Sequence, residues 1–346
     1  MIRIGVDAWN LPGDRRGIGR YLREILRVWW ERERNRVEVA LIVPEWHTVT
    51  VRQRYLREVE WRHYRIVSRR YHRRARLDAL WFPFNGCSWT DFALPATATL
   101  HDASNFVVAN YAPATQEIFR AAASRCSALI TVSEFSRREL SRELRIPESR
   151  FAVIPSGVGA PRPAVPVALD VLDLQPYVLY VGDAERRKGF DTLLQAMARV
   201  SKARADVSLV VTSEITGWNV PDDVRIVALG HVDDDTLAAL YRSCAVLAFP
   251  SRYEGFGLPV LEAMSYGAPV VASDAAALRE VGGTAACYVP VDAGDALADA
   301  ILRVLCDAGY AADLRTRGFR RATMFSWEDA AKRTLEAIMG TIEAPK

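Results

Sequence analysis

Lysine is almost missing from this chain: of its 45 basic residues only four are lysines, at positions 188, 202, 332 and 346, and the other 41 are arginines. Cysteine is sparse and without pattern. Cys87, Cys126, Cys244, Cys287 and Cys306 are odd in number and no Cys-x-x-Cys occurs, so neither a disulfide framework nor a zinc site is supported. They read as small apolar residues of the interior. No apolar run approaches the ~18 residues that a membrane span requires. No Asp-x-Asp stands at a strand end to hold a metal–diphosphate pair. Its only rival, Asp233-Asp234-Asp235, reads better as a helix N-cap with first-turn charge. No metal site and no cofactor are therefore expected. The opening MIRIGVDAWNL runs directly into a strand, without the charged-then-apolar layout of a signal peptide, so a cytoplasmic location is expected.

What is present is a globular composition, half apolar and a quarter charged, in 346 residues, enough for two domains. The net charge of +3 conceals an asymmetry: residues 15–76 carry 18 arginines against seven glutamates. Residues 69–76 read RRYHRRAR. Either this is a solvated basic surface, or it is a face for an anionic acceptor or lipid headgroups. No recognition motif supports nucleic acid.

The densest pattern is Ala245 to Gly283, AVLAFPSRYEGFGLPVLEAMSYGAPVVASDAAALREVGG. Ala245 to Phe249 reads as a buried strand and Pro250 to Leu258 as a loop with Gly255 and Gly257. Pro259 suits a first helical position, Gly267 a left-handed helix end, and Ala268 to Ala272 a second strand. A loop ending at a helix N-terminus attracts phosphate through backbone N–H groups and the helix dipole. Glu254 in the loop suits sugar hydroxyls, and Glu262 on the helix suits a ribose diol. The plainer alternative makes them a solvated loop acid and a favourable first-turn acid.

Other candidates fall at strand ends. Ile2 to Asp7 is a strand closed by a carboxylate, and Gly17-Ile18-Gly19 then opens a helix where close backbone approach to a diphosphate is allowed. His101-Asp102 follows the strand Ala96 to Leu100, at the end where open α/β sheets bind ligands. Asp102 either orients His101 or caps the next segment. Ser133 reads as an N-cap. After the strand Tyr177 to Val181, Arg186-Arg187-Lys188 stands just before a helix, a phosphate clamp in prospect or a set of solvated turn charges. Residues 47–76 show little turn chemistry and read as a helical or irregular excursion.

EGFGLPVLEAMSYGAPVVAS closely resembles the signature of retaining glycosyltransferase family 4. IGVDAWNLPGDRRGIGRYLREILR, TVSEFSRREL and YVGDAERRKGFDTLLQA resemble its other segments, so the likeness runs along nearly the whole chain and is weakest over 45–76. It implies an α/β GT-B fold: two doubly wound Rossmann-like domains facing a cleft, with the C-terminal helix crossing back to the N-terminal domain. The expected boundaries are an acceptor domain over 1–160 with helix 328–346, and a donor domain over 161–327. The activity implied is metal-independent transfer with retention from a nucleotide-diphosphate sugar, GDP-mannose favoured and UDP-sugars open. The acceptor would be a glycan or a polyprenyl-diphosphate-linked glycan of cell-surface polysaccharide synthesis. In this reading His101, Glu254, Arg187 and Lys188 are catalytic. Gly17, Gly19, Arg187, Lys188, Glu254, Gly255, Phe256, Gly257, Leu258 and Glu262 bind the donor, and Ser133 and Glu134 lie on the acceptor side. Pro155-Ser156-Gly157-Val158 departs from the family's asparagine-bearing turn, and Asp183 stands where some members carry an arginine, so neither position is given a contact. Peripheral attachment to an anionic membrane face through residues 52–76 is a further expectation. The alternatives are a sugar-nucleotide epimerase of the same fold and a non-catalytic sugar-nucleotide-binding protein.

Overall fold

The computed structural model describes residues 1–11, 17–45, 49, 53, 63–108, 113–162 and 176–343. The chain divides into two compact units, Met1–Gly157 with Ser326–Lys346, and Val158–Phe325.

The first unit is built on seven parallel strands in the order β3-β2-β1-β4-β5-β6-β7. These are β1 (Ile2–Asp7), β2 (Val37–Val43), β3 (Arg65–Ser68), β4 (Ala79–Phe82), β5 (Ala96–Thr99), β6 (Ala128–Thr131) and β7 (Phe151–Val153). Between them come α1 (Gly17–Val28), α2 (Ser104–Val107), α3 (Pro113–Arg125) and α4 (Glu134–Leu144). Strands β2 (VEVALIV) and β4 (ALWF) are near-continuous apolar runs, which suits a parallel sheet covered on both faces.

The second unit has six parallel strands in the order β10-β9-β8-β11-β12-β13. They are β8 (Tyr177–Tyr180), β9 (Ser208–Val211), β10 (Ile226–Ala228), β11 (Val246–Phe249), β12 (Val270–Ser273) and β13 (Cys287–Val289). Their helices are α5 (Phe190–Ala203), α6 (Asp234–Ser243), α7 (Leu258–Ser265), α8 (Ala276–Gly282), α9 (Gly294–Cys306) and α10 (Ala308–Ala322). Phe190, Leu193, Met197 and Val200 of α5 share one core with Leu297, Ile301 and Val304 of α9.

The last helix, α11 (Trp327–Glu343), returns to the first unit and lies against α1. The Trp29 indole donates to the Ala331 carbonyl at 2.9 Å, and the Tyr21 hydroxyl stands 3.5 Å from Thr334 Oγ1. Ser326 caps this helix, accepting from the Asp329 N–H at 3.0 Å.

One expectation is corrected. Within 47–76 the chain forms an edge strand, β3, pairing with β2 at Leu41↔Ile66, and then a 3-10 turn over Arg69–Arg74. Arg-Ile-Val-Ser is too short, and too closely flanked by arginine, to show a strand period. Arg52, Arg54, Tyr55, Arg57, Trp61 and Arg62 lie outside the described residues.

In both sheets the strand order reverses at one place. In the first unit β1 and β4 are neighbours while the chain winds outward from each in opposite directions, and in the second unit β8 and β11 do the same. Crevices beyond the carboxyl ends of such strand pairs are where open α/β sheets take ligands.

Candidate active site

At the second unit's switch point, the turn after β8 and the loop after β11 are pressed together. Gly189 has φ +70°, and a Cβ placed on it would lie 2.0 Å from the Pro250 carbonyl oxygen, so only glycine allows this approach. The Arg252 N–H donates to the Arg187 carbonyl at 2.9 Å. Lys188 Nζ reaches Glu254 Oε1 at 2.5 Å, and the two side chains are 19% and 10% exposed. Glu254 is therefore neither solvated nor idle: it is a buried carboxylate held by a half-buried ammonium, which also sits 5.9 Å from the Phe249 ring centre. Arg187 donates to the Tyr253 carbonyl at 3.3 Å and lies 3.5 Å from Glu185.

Arg252, which carries no motif signal, fastens this assembly. Its guanidinium spans Asp191 at 2.8 Å and Asp292 at 2.5 Å, and also donates to the Arg186 carbonyl. Burial pushes the Asp191 carboxyl up, but the Arg252 hydrogen bonds outweigh it and hold it below the usual carboxylate range.

Gly257 precedes α7 at φ +103° and supplies no side-chain cap, so the start of the helix is left to its own backbone N–H groups. Phe256 is buried edge-on against Phe325, 5.9 Å between ring centres. Glu262 lies in the second turn of α7, not the first. It is buried and accepts from the Tyr241 hydroxyl at 3.0 Å, and Tyr241 stacks on Tyr266. The Asp233 run does cap α6, accepting from the Thr236 N–H at 2.8 Å.

In the first unit, His101 is buried just past β5. Its Nε2 lies 2.9 Å from the Pro83 carbonyl oxygen; a carbonyl only accepts, so Nε2 carries a proton. The backbone is clamped on both sides: its N–H donates to Asn85 Oδ1 at 2.7 Å, and its carbonyl accepts from Ser136 Oγ at 2.9 Å. The Tyr21 ring stands edge-on 4.9 Å away. Asp102 accepts from the Ser104 N–H at 2.8 Å, at the start of α2. Ser133 caps α4 through the Ser136 N–H, and the half-buried Glu134 pairs with Arg137 at 2.7 Å. Gly17, exposed, begins α1, and Gly19 is buried within it. Asn85, Ser136 and Arg252 could not be found in advance, because each acts on a partner far along the chain.

Residues 15–160 match the model described as Glycosyltransferase Family 4, and residues 175–307 match that described as Glycosyl transferases group 1. O-antigen chain mannosyltransferase B of Escherichia coli is 33% identical over 266 residues, covering 70% of this chain and 69% of the relative. The chain belongs to glycosyltransferase family 4. The glycosyltransferase aligns with further curated relatives over 55 to 60% of their lengths. Sucrose-phosphate synthase of Thermosynechococcus elongatus superposes with a TM-score of 0.76 at 21% identity, covering 100% of both chains. HepE of Anabaena, in complex with UDP and glucose, gives 0.74 at 16% identity over 98% of this chain and 100% of that one. These likenesses place the glycosyltransferase in the GT-B fold. Family membership favours transfer over the epimerase and non-catalytic readings. Among the described residues no helix is long and apolar enough to cross a membrane.

Proposed function

We propose that this glycosyltransferase moves mannose, with retention and without a metal ion, from a nucleoside-diphosphate sugar to a glycan or lipid-linked glycan acceptor. The observation that carries the reading is the Arg187–Lys188 turn locked against the Pro250–Glu254 loop at the second unit's switch point. Two cations and the start of α7 stand where negative charge grows on a departing diphosphate, and preorganised charge of this kind lowers the barrier. Glu254 holds hydroxyls of the transferred sugar, and Glu262 holds the ribose. Gly17 and Gly19 allow the donor phosphates to approach the backbone, and His101 contacts the sugar. The acceptor oxygen bonds to the anomeric carbon on the face that the phosphate leaves. The anomeric carbon–oxygen bond to phosphate breaks, and the acceptor proton passes to the departing phosphate oxygen. Mannose is favoured by the E. coli relative's name.

Peripheral attachment to an anionic membrane belongs to the same proposal, with a narrower footing than the arginine count suggests. Arg73 is tied to Asp91 at 2.5 Å, Arg69 turns inward to Ser88, and Tyr64 donates to the Leu26 carbonyl. Arg70 and Arg74 remain beside the exposed Tyr71, although Arg70 stands 3.9 Å from Glu45.

The test is transfer from radiolabelled GDP-mannose and UDP-glucose to lipid and glycan extracts, with and without excess chelator, and with the product's anomeric configuration read by NMR. Retained configuration from GDP-mannose in chelator supports the proposal. Inversion, or a strict need for magnesium or manganese, overturns it.

A further inference from the structure

Arg187, Lys188 and Arg252 come together at the second unit's switch point, and they are not alike. Arg187 and Lys188 belong to the 3-10 turn Arg186–Lys188, and they meet Glu185 and Glu254 respectively. Arg252, from the loop after β11, meets two carboxylates at once. Its Nη1 and Nη2 donate to Asp191 at 2.8 and 3.1 Å, and its Nε donates to Asp292 at 2.5 Å. Nη2 also reaches Thr192 Oγ1 at 3.3 Å. Two carboxylates on one guanidinium more than neutralise it, so Arg252 is poorly suited to bind a phosphate, and its place beside the turn needs another account.

That account lies in the backbone it holds. Arg252 Nη1 donates to the Arg186 carbonyl, and the Arg252 N–H donates to the Arg187 carbonyl at 2.9 Å. The Ser251 hydroxyl lies 3.4 Å from the same Arg187 carbonyl. These two carbonyls belong to the planar peptides on either side of the Arg187 Cα. Fixing both planes fixes the backbone angles of Arg187, and with them the direction in which its side chain leaves the turn. The second plane also leads into Lys188. At its other end Arg252 is anchored to Asp191 and Thr192 at the start of α5, and to Asp292 beyond β13. Asp292 has φ +63°, a left-handed conformation seldom held by residues other than glycine, and its Oδ1 also stands 3.5 Å from Thr192 Oγ1. A planar fork can hold all of these groups at fixed distances, where a lysine offers one point of charge.

We propose that Arg252 is the positioning residue of the diphosphate turn: through the Arg186 and Arg187 carbonyls it sets the direction in which Arg187 and Lys188 face the departing phosphates. This rests on the donor reading above. Arg252 acts through the turn and touches no atom of the donor. A misplacement of about 1 Å is enough to cost on the order of 100-fold in rate, so a loosened turn would remain folded and work poorly.

The test uses the full chain. Arg252→Ala is made in the parent and in the Arg187→Ala/Lys188→Ala variant, with folding followed by circular dichroism. The readouts are nucleoside diphosphate released from GDP-mannose and UDP-glucose, and calorimetric binding of GDP and UDP. In the parent, Arg252→Ala should lower turnover about 100-fold and diphosphate affinity about tenfold. In the Arg187→Ala/Lys188→Ala background it should change either by less than about twofold, because the groups it positions are already gone. Arg252→Lys keeps a charge between the carboxylates without the fork, and should still lower turnover about tenfold; it carries the same comparison if Arg252→Ala does not fold. An arginine that only braces the fold would lower the unfolding midpoint and leave turnover per folded molecule at the parent level in both substitutions, which overturns the proposal. So does a loss of equal factor in the two backgrounds. Parent-level turnover in Arg187→Ala/Lys188→Ala would instead sink the donor reading itself, and this inference with it.

Discussion

The Lys188–Glu254 pair offers the sharpest test of the donor site, because stability, GDP affinity and turnover should each respond to it differently. Both side chains are largely withdrawn from water and meet at 2.5 Å. Lys188→Met strands a buried carboxylate, and removing one partner of such a pair costs about 3 kcal/mol. Glu254→Gln leaves a neutral acceptor for the ammonium and should cost less, about 1–2 kcal/mol. The double variant should lose less than the sum, with a coupling of about 1–3 kcal/mol, because neither charge is then left alone. Transfer should fall roughly 100-fold or more in all three, the scale seen when a preorganised charge-stabilising group is removed. Glu254→Gln carries a further signature. A diphosphate arriving at this turn competes with Glu254 for Lys188, so this variant should bind GDP more tightly than the parent while turning over more slowly. Urea unfolding, calorimetric GDP binding and initial rates measure the three quantities. Additive stability losses would show that the pair is not coupled in the folded protein. Unchanged turnover in the double variant would refute the leaving-group argument, whatever the stabilities.

Gly189→Ala forces a Cβ against the Pro250 carbonyl at a left-handed position, so it should cost about 3 kcal/mol and disable transfer, read by thermal unfolding and rate. Asp7 has a folded-state value of about 6 against an ordinary 3.8, so its contribution is most favourable below about pH 4 and is lost as pH rises to about 6, by on the order of 3 kcal/mol. Relative to the parent, Asp7→Asn should therefore gain stability across that window; a constant difference from pH 4 to 7 counts against a buried, raised carboxyl. Arg70→Gln/Arg74→Gln should lower flotation with anionic liposomes at low salt, since each surface arginine contributes about 1 kcal/mol there. Equal flotation of variant and parent would mark these arginines as a solvated face.

The donor half was legible because its chemistry is local in sequence. Arg187 and Lys188 are adjacent, and Glu254, Gly257 and Glu262 fall within nine residues, so a strand–loop–helix reading already put them at one strand end. Buried strands announced themselves for the same reason: runs such as VEVALIV need no partner to be recognised. Two things escaped. The β3 edge strand is short and basic, and only its pairing with β2 makes it a strand. The burial and pairing of Glu254 also escaped, since spacing cannot tell a solvated loop acid from one closed over by Lys188.

The first unit's cluster around Asp7 was illegible for a deeper reason. Asp7, Arg69 and the Ser88-Trp89 pair come from three places in the chain, and each has an ordinary explanation taken alone: a strand end, a surface arginine, a loop. Only the parallel order β2-β1-β4 sets them side by side. Once there, burial raises the Asp7 carboxyl to about 6, while Ser88 and Arg69 pull it the other way. The cost is one of desolvation: asparagine at position 7 carries no charge to bury, so the gap between variant and parent should open as pH rises through the window from 3.8 to about 6.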